Sequence, residues 1–349
     1  LNTIILSKNY SKYKSGYYHN DIVKGWKKTT NCFVYGPGYP GYNNDDDIDS
    51  VIEKSPFKKE DLDIIVFSTS WDDDESDDNV DPHCNIRLEK IDSVKKIYYL
   101  NKEYKKLELR FDYAKLQSVD LIVTVHPNFK LWEEEVGIRF VQSHFAVDLA
   151  RFGYNNEPKD YDFGFTGGLH MKHLDFRSKV KNEIFLDKYK NLKSNYDRKV
   201  ILRKSFFKEK YLGYNIYWAE FGAKNLLGQS LLPHGNKYAK FLRRFKSFLN
   251  TPSAIGIFNT RFFELMASRT LIICPKVDSY NGIMKDGDNC LMFKEDMSDF
   301  SLVLEKAQDE NVRLPIINNA QKFVRQHTYE ARAKKIIEVI QGTESDSKQ

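Results

Sequence analysis

Asn259, Thr260, Arg261 and Glu264 lie close together in a pattern that suits phosphate recognition. Asn259 and Thr260 are both good N-cap types, so a helix opens there. The first turn of a helix offers unsatisfied N–H groups and the positive end of its dipole to an anion. Arg261 and Glu264 are one turn apart and share a face. Arg261 can therefore neutralise a phosphate beside the helix start, pair with Glu264, or do both. Glu264 stands among Phe262, Phe263, Leu265 and Met266. A charge in such a run is costly unless it is paired or faces a polar cleft. Upstream, Gly167-Gly168 lets the backbone come close to a ligand. The nearby Arg177 could reach the same anion or cap a surface helix. His126 ends an apolar run, and open α/β sheets bind ligands beyond the carboxyl ends of their strands. Gly16 and the loop from Gly36 to Gly41, which contains Gly38, follow earlier apolar runs and could shape a second pocket. Two acidic clusters, Asp45-Asp46-Asp47 and Asp72-Asp73-Asp74, tempt a metal reading. Both lie in long charged loops of a kind that is usually solvated, so no metal site is expected.

The elements that must position these residues alternate in type. Strands are expected at Thr3–Leu6, Cys32–Tyr35, Leu62–Ser68, Ile97–Leu100, Asp120–Val125 and Ile138–Gln142. Helices are expected at Tyr18–Lys27, Ile48–Lys54 and Leu107–Val119 between them. The second half begins with a strand that runs into Gly167-Gly168. Helices follow at Lys179–Lys190 and Tyr196–Lys204, then an irregular aromatic stretch at Leu212–Phe221. After a helix at Tyr238–Phe245 and a strand at Ser247–Asn250 come the helix near Thr260, a strand at Thr270–Cys274 stopped by Pro275, and the loop Asp286–Asn289. Helices close the chain at Asp299–Asp309, Ile317–Gln326 and Tyr329–Gln341. Strands alternating with helices indicate parallel sheets with helices on both faces.

The 349 residues suit two domains of ordinary size. Their 41% hydrophobic and 14% aromatic content describes a globular chain. No run approaches the roughly 20 apolar residues of a membrane span. The apolar part of LNTIILSKNY is too short for a signal peptide and reads as a first strand. Cys32, Cys84, Cys274 and Cys290 show no zinc or CxxC spacing and read as reduced thiols of a cytoplasmic protein. The net charge of +5 does not demand nucleic acid. Six acids between Asp72 and Asp78 make the remainder more basic, which suits an anionic small molecule or a membrane surface. The stretch Tyr238–Phe245 is basic and amphipathic; it could rest on the inner face of an anionic membrane, though a core-facing helix with a solvated basic face is the simpler reading.

TRFFELMASRTLIICP followed by IMKDGDNCLMF resembles the donor-binding half of group 1, family 4-type glycosyltransferases, and within them the CgeB-like branch of spore maturation proteins. That branch carries Arg-x-x-Glu on its donor helix, here Arg261 and Glu264. The resemblance spans about Tyr161 to Ile340. It implies a GT-B fold, two Rossmann-like domains facing across a cleft: residues 1–154 for the acceptor and 160–328 for a UDP- or GDP-linked sugar. The helix at 329–341 would cross back to brace the first domain, with 342–349 a disordered tail.

The same resemblance implies a retaining transfer of a sugar to a hydroxyl of a glycan or lipid-linked acceptor, without a cofactor or metal. It makes Glu264 the acceptor for the ribose hydroxyls. In that pattern Arg261 and Gly167-Gly168 fall at the diphosphate, with the N–H groups of Asn259 and Thr260 beside them and Arg177 either within reach of it or capping a helix; by their places at strand ends, His126 is expected near the sugar or the acceptor, and Gly16 and Gly38 at the acceptor pocket. One departure is at Gly256, within the expected donor site, where many members carry a second Glu. A same-face displacement in which the departing phosphate helps deprotonate the acceptor needs no such base. The alternatives are a GT-B nucleotide-sugar epimerase and an inactive fold-mate that binds a glycan or partner.

Overall fold

In a computed structural model, residues 1–12, 16–68, 86–89, 91, 93–101, 103, 106–169, 176–188, 206–220, 223–224, 230–253, 256–280 and 282–342 are described. The acidic loop at 72–78, Cys84, the helix expected at 196–204 and the tail at 343–349 lie outside these residues. The chain divides into two units, Leu1–Ala146 with Thr328–Gln349, and Val147–His327.

The first unit is built on strands β1 (Asn2–Leu6), β2 (Asn31–Tyr35), β3 (Ile64–Phe67), β4 (Lys95–Tyr99), β5 (Leu121–Thr124) and β6 (Arg139–Gln142). They form one parallel sheet in the order β2-β1-β3-β4-β5-β6. Successive side chains leave opposite faces of a strand. In β3, Ile65 and Phe67 enter a cluster with Val51, Phe111 and Phe140. Ile64 and Val66 enter another with Trp26, Ala333 and Ile336. Both faces are covered, which is why these strands read as continuous apolar runs. The covering helices are α1 (Tyr18–Lys27), α2 (Ile48–Lys54), α3 (Leu107–Leu116), α4 (Phe129–Val136) and α11 (Tyr329–Gln341). The last packs so tightly on α1 that a Cβ at Gly25 would come within 2.4 Å of the Tyr329 carbonyl oxygen. Only glycine fits that crossing.

The second unit holds β7 (Tyr161–Gly167), β8 (Phe206–Tyr211), β9 (Tyr214–Glu220), β10 (Phe245–Leu249), β11 (Leu271–Pro275) and β12 (Leu291–Phe293). Their order is β12-β11-β10-β7-β9-β8, parallel except for β8 against β9. Its helices are α5 (Leu149–Phe152), α6 (Phe176–Lys188), α7 (Asn236–Leu242), α8 (Thr260–Ala267), α9 (Phe300–Gln308) and α10 (Glu310–Val324).

Several features depart from the sequence reading, among them α10, which starts at Glu310 rather than Ile317 and carries Pro315 inside. The stretch at 212–221 is not irregular: Leu212 and Gly213, at φ 50° and 84°, make a tight turn between β8 and β9. Ile216 and Trp218 then enter the core, while Tyr217 packs on Phe241 and Phe245. An aromatic run on a two-sided strand hides its own alternation. Helix α4 also forms where no helix is expected. Finally, Arg243 does not belong to a solvated basic face. It is 3% exposed, donating to Glu157 Oε1 at 2.8 Å and to the carbonyls of Arg151 (3.0 Å) and Gly153 (2.8 Å). Among the described residues no helix is long and apolar enough to cross a membrane.

Candidate functional site

In the second unit the chain runs from β7 through β8 and β9 on one side of the sheet, then returns to place β10 on the other side of β7. The strand order therefore reverses between β7 and β10. Such a switch point leaves a crevice beyond the carboxyl ends of the two strands. Gly167 ends β7 with Gly168 after it, and Asn250-Thr251 follow β10.

Helix α8 starts at this crevice. Its N-cap, Asn259, has an extended backbone, and its Oδ1 accepts from the Arg261 N–H at 3.2 Å. The same amide is fixed from below. Its Nδ2 donates to the Thr251 carbonyl at 2.7 Å, and its Oδ1 accepts from Asn250 Nδ2 at 3.1 Å. The end of β10 thus aims the first turn of α8, which Thr260 opens.

Arg261 reaches across the crevice mouth. Its Nη1 donates to the Thr166 carbonyl and its Nε to the Tyr238 hydroxyl at 2.8 Å. Gly167, at φ 146°, lies where a Cβ would sit 3.4 Å from Arg261 Nη1. Left-handed backbone and a close guanidinium both favour glycine there. Arg177 joins the other two edges, with Nη1 to the Gly168 carbonyl and Nε to Thr251 Oγ1, both at 2.8 Å. Gly167, Gly168, Arg177, Asn259, Thr260 and Arg261 are brought together around one crevice, with two guanidinium groups and a helix start supplying positive field.

Glu264 follows one turn along α8 and is 2% exposed, which removes the reading of a solvated helix glutamate. Its charge acts on Tyr238. Burial foremost, and then Glu264, push the Tyr238 phenol up to about 12, against the opposing effect of Arg261. Gly256 lies in the loop before α8 at φ 76°, with its N–H donating to the Ser253 carbonyl at 2.9 Å.

The remaining expected residues belong to the first unit. Gly16 and Gly38 meet the segment after β1. A Cβ at Gly16 would come 2.8 Å from the Tyr10 ring, and one at Gly38 would come 3.0 Å from Asn9 Cβ. Asn9 donates to the Gly38 carbonyl at 3.2 Å, tying the loops after β1 and β2 together. That sheet reverses its order at β1 and β3, so these loops border its own crevice. His126 is not with them. It follows β5, three strand spacings from β1, roughly 14 Å. Its ring stacks on Trp132 of α4 at 4.6 Å, and its Nδ1 accepts from the Asn128 N–H at 3.1 Å. Burial lowers its pKa, against an opposing pull from Glu103. The neutral ring therefore carries its proton on Nε2.

The described acidic cluster is engaged in local structure. Asp46 accepts from the Tyr35 hydroxyl and Lys54, and Asp47 caps α2 by accepting from Ser50 N–H at 2.9 Å. Among the described residues no group of three or more His, Cys, Asp or Glu could hold a metal ion.

Sequence reasoning missed Tyr238, Thr251 and Asn250. Tyr238 falls on the apolar face of α7, so its pattern signals only core. Thr251 and Asn250 sit where an apolar run turns polar, which marks a strand end but not what it holds.

A family model described as glycosyl transferase-like matches residues 190–338. No curated protein matches the chain. Among solved structures, the chain is similar to Anabaena HepE in complex with UDP and glucose, at 12% identity and TM-score 0.57, covering 98% of this chain and 99% of that one. The HepE complex with UDP-glucose gives TM-score 0.55 at 12% identity, covering 98% and 99%. A glycosyltransferase from Rickettsia africae gives TM-score 0.56 at 12% identity, covering 99% of each chain. At such identities the likeness speaks for the fold, and the fold is the GT-B class of paired Rossmann-like domains.

Proposed function

We propose that this chain is a retaining glycosyltransferase that moves a sugar from a nucleoside diphosphate to a hydroxyl of a glycan or lipid-linked acceptor. The observation that carries this reading is the convergence of Arg177, Arg261, Gly167-Gly168 and the start of α8 on one switch-point crevice. The glycosyl transferase-like match over 190–338 includes α8, and HepE has been crystallised with UDP and with UDP-glucose.

The nucleotide occupies the second unit, with its diphosphate against Arg261, Arg177 and the first-turn N–H groups of α8. Glu264 receives the ribose hydroxyls; a carboxylate accepts two O–H donors from a vicinal diol, and charge-assisted bonds are the strong ones. As the bond between sugar and phosphate lengthens, charge grows on the departing diphosphate. Donors fixed beforehand stabilise that charge without reorganising. The departing phosphate oxygen takes the proton of the incoming hydroxyl on the same face of the sugar, so no second carboxylate is needed at Gly256. The loops of Gly16 and Gly38 receive the acceptor at the first unit's own crevice.

The test is donor turnover with and without added acceptors, in the presence of EDTA. Cleavage of UDP- or GDP-sugar that accelerates with a glycan or lipid-linked acceptor, and survives EDTA, is expected. Guanidinium groups and a helix start already supply the positive field that a metal would give. Product released as a free altered sugar would point to an epimerase. Absence of any turnover would point to a binding protein. Activity lost in EDTA and restored by manganese would remove the metal-free mechanism.

A further inference from the structure

The donor crevice lies at the carboxyl edge of the second unit's sheet. The opposite edge carries a separate cavity of about 300 Å³, walled by Lys159, Lys246, Arg269 and Arg313 with Glu310. These residues belong to the segment before β7, the start of β10, the segment after α8, and the first half of α10. At about 3.3 Å rise per residue, the length of β7 separates this cavity from the donor crevice by roughly 20 Å.

The charges here do not balance. Lys246 pairs with Asp162 at 2.7 Å, and Arg313 with Glu310 at 3.1 Å. Lys159 and Arg269 have no carboxylate within salt-bridge distance among the described residues. Lys159 Nζ donates to the carbonyls of Ser268 (3.3 Å) and Arg269 (2.9 Å) and to Thr270 Oγ1 (3.3 Å), closing the end of α8. Arg269 makes one side-chain hydrogen bond, Nη2 to Asn318 Oδ1 at 3.2 Å. Both cations lie over the same ring of Tyr154, at 5.1 and 5.5 Å from its centroid. Burial pushes the Lys159 ammonium down to about 7, and Arg269, Arg313 and Arg243 push the same way against Glu157. Two cations face one cavity with no carboxylate within salt-bridge distance of either among the described residues, and a guanidinium fork suits an oxyanion.

We infer that this cavity is a second anion site, distinct from the donor site, that takes a small dianionic oxyanion such as a phosphate monoester. Two unbalanced positive charges match a dianion better than a monocarboxylate. Leu314 and Ile317 give the cavity an apolar wall, and its volume leaves room for a compact body behind the anionic head.

Calorimetric titration of the full chain tests this, with sulfate and acetate as probes at fixed ionic strength. Sulfate is chosen because its charge does not change across the pH range used. Wild type should bind sulfate and not acetate. Arg269→Gln should weaken sulfate binding at least about tenfold, the loss expected for a charged hydrogen bond. Arg261→Gln, which removes a donor-site cation, should keep the component of sulfate binding that Arg269→Gln weakens. Binding should also weaken from pH 6 to 8.5, as Lys159 loses the proton that the anion needs. The inference is overturned by wild type failing to bind sulfate, by equal binding in Arg269→Gln, by binding abolished in Arg261→Gln, or by affinity indifferent to pH over that range.

Discussion

Arg261→Ala lowers turnover by about 10²–10³-fold while weakening donor binding much less. The magnitude is that of removing one fixed donor from a site where charge develops. The asymmetry follows because charge on the diphosphate grows toward the transition state, and an interaction that strengthens there acts on kcat more than on binding. The structure adds a condition. Arg261 also holds the Thr166 carbonyl and the Tyr238 hydroxyl, so alanine removes a partner from buried groups, at about 1–3 kcal/mol of stability. Arg261→Lys separates the two effects. It keeps the charge but not the planar fork, and should retain more turnover than alanine. Steady-state kinetics on protein shown to be folded by circular dichroism checks this. Wild-type kcat in Arg261→Ala would mean that the arginine only braces β7 against α7.

Glu264→Gln should do the reverse, weakening nucleotide binding by about ten- to a hundredfold with a smaller change in kcat. A charge-assisted hydrogen bond is worth roughly 1.5–3 kcal/mol, and the amide keeps the shape while losing the charge. The 2% exposure of Glu264 strengthens the expectation. Exclusion of competing water strengthens a charge-assisted hydrogen bond to a ribose hydroxyl. The phenol of Tyr238 gives an independent readout. Glu264 contributes to its raised pKa, so the variant should titrate Tyr238 at lower pH whether or not nucleotide binds. A lowered Tyr238 pKa with unchanged Kd for UDP and GDP would leave Glu264 a structural group. The two substitutions therefore differ in kind, one acting on the chemical step and the other on the bound nucleotide.

Much of this arrangement is legible in the sequence for a local reason. The cap at Asn259, the Arg261-x-x-Glu264 spacing and Gly167-Gly168 are short-range patterns, and each marks the end of an element where a switch-point ligand would lie. The parallel sheets are legible too, because strands buried on both faces read as apolar runs separated by helices. What the sequence hides is long-range. Tyr238 is 23 residues from Arg261, and no periodicity in α7 says that its hydroxyl meets a guanidinium. The hairpin of β8 and β9 was hidden because aromatic residues line both faces of β9. Arg243 looked solvated because a helical face predicts a direction, not the Glu157 carboxylate and two carbonyls that meet it there. The charge surplus around Lys159 is also invisible in sequence, since it arises from the segment before β7, β10, α10 and the segment after α8 together.

The most direct measurement is a crystal structure of the full chain with UDP or GDP bound. The diphosphate should lie within hydrogen-bond distance of Arg261 and the first-turn N–H groups of α8, with the ribose hydroxyls on Glu264. A nucleotide bound elsewhere, with Arg261 still closed on Thr166 and Glu264 without a ribose contact, would contradict this placement.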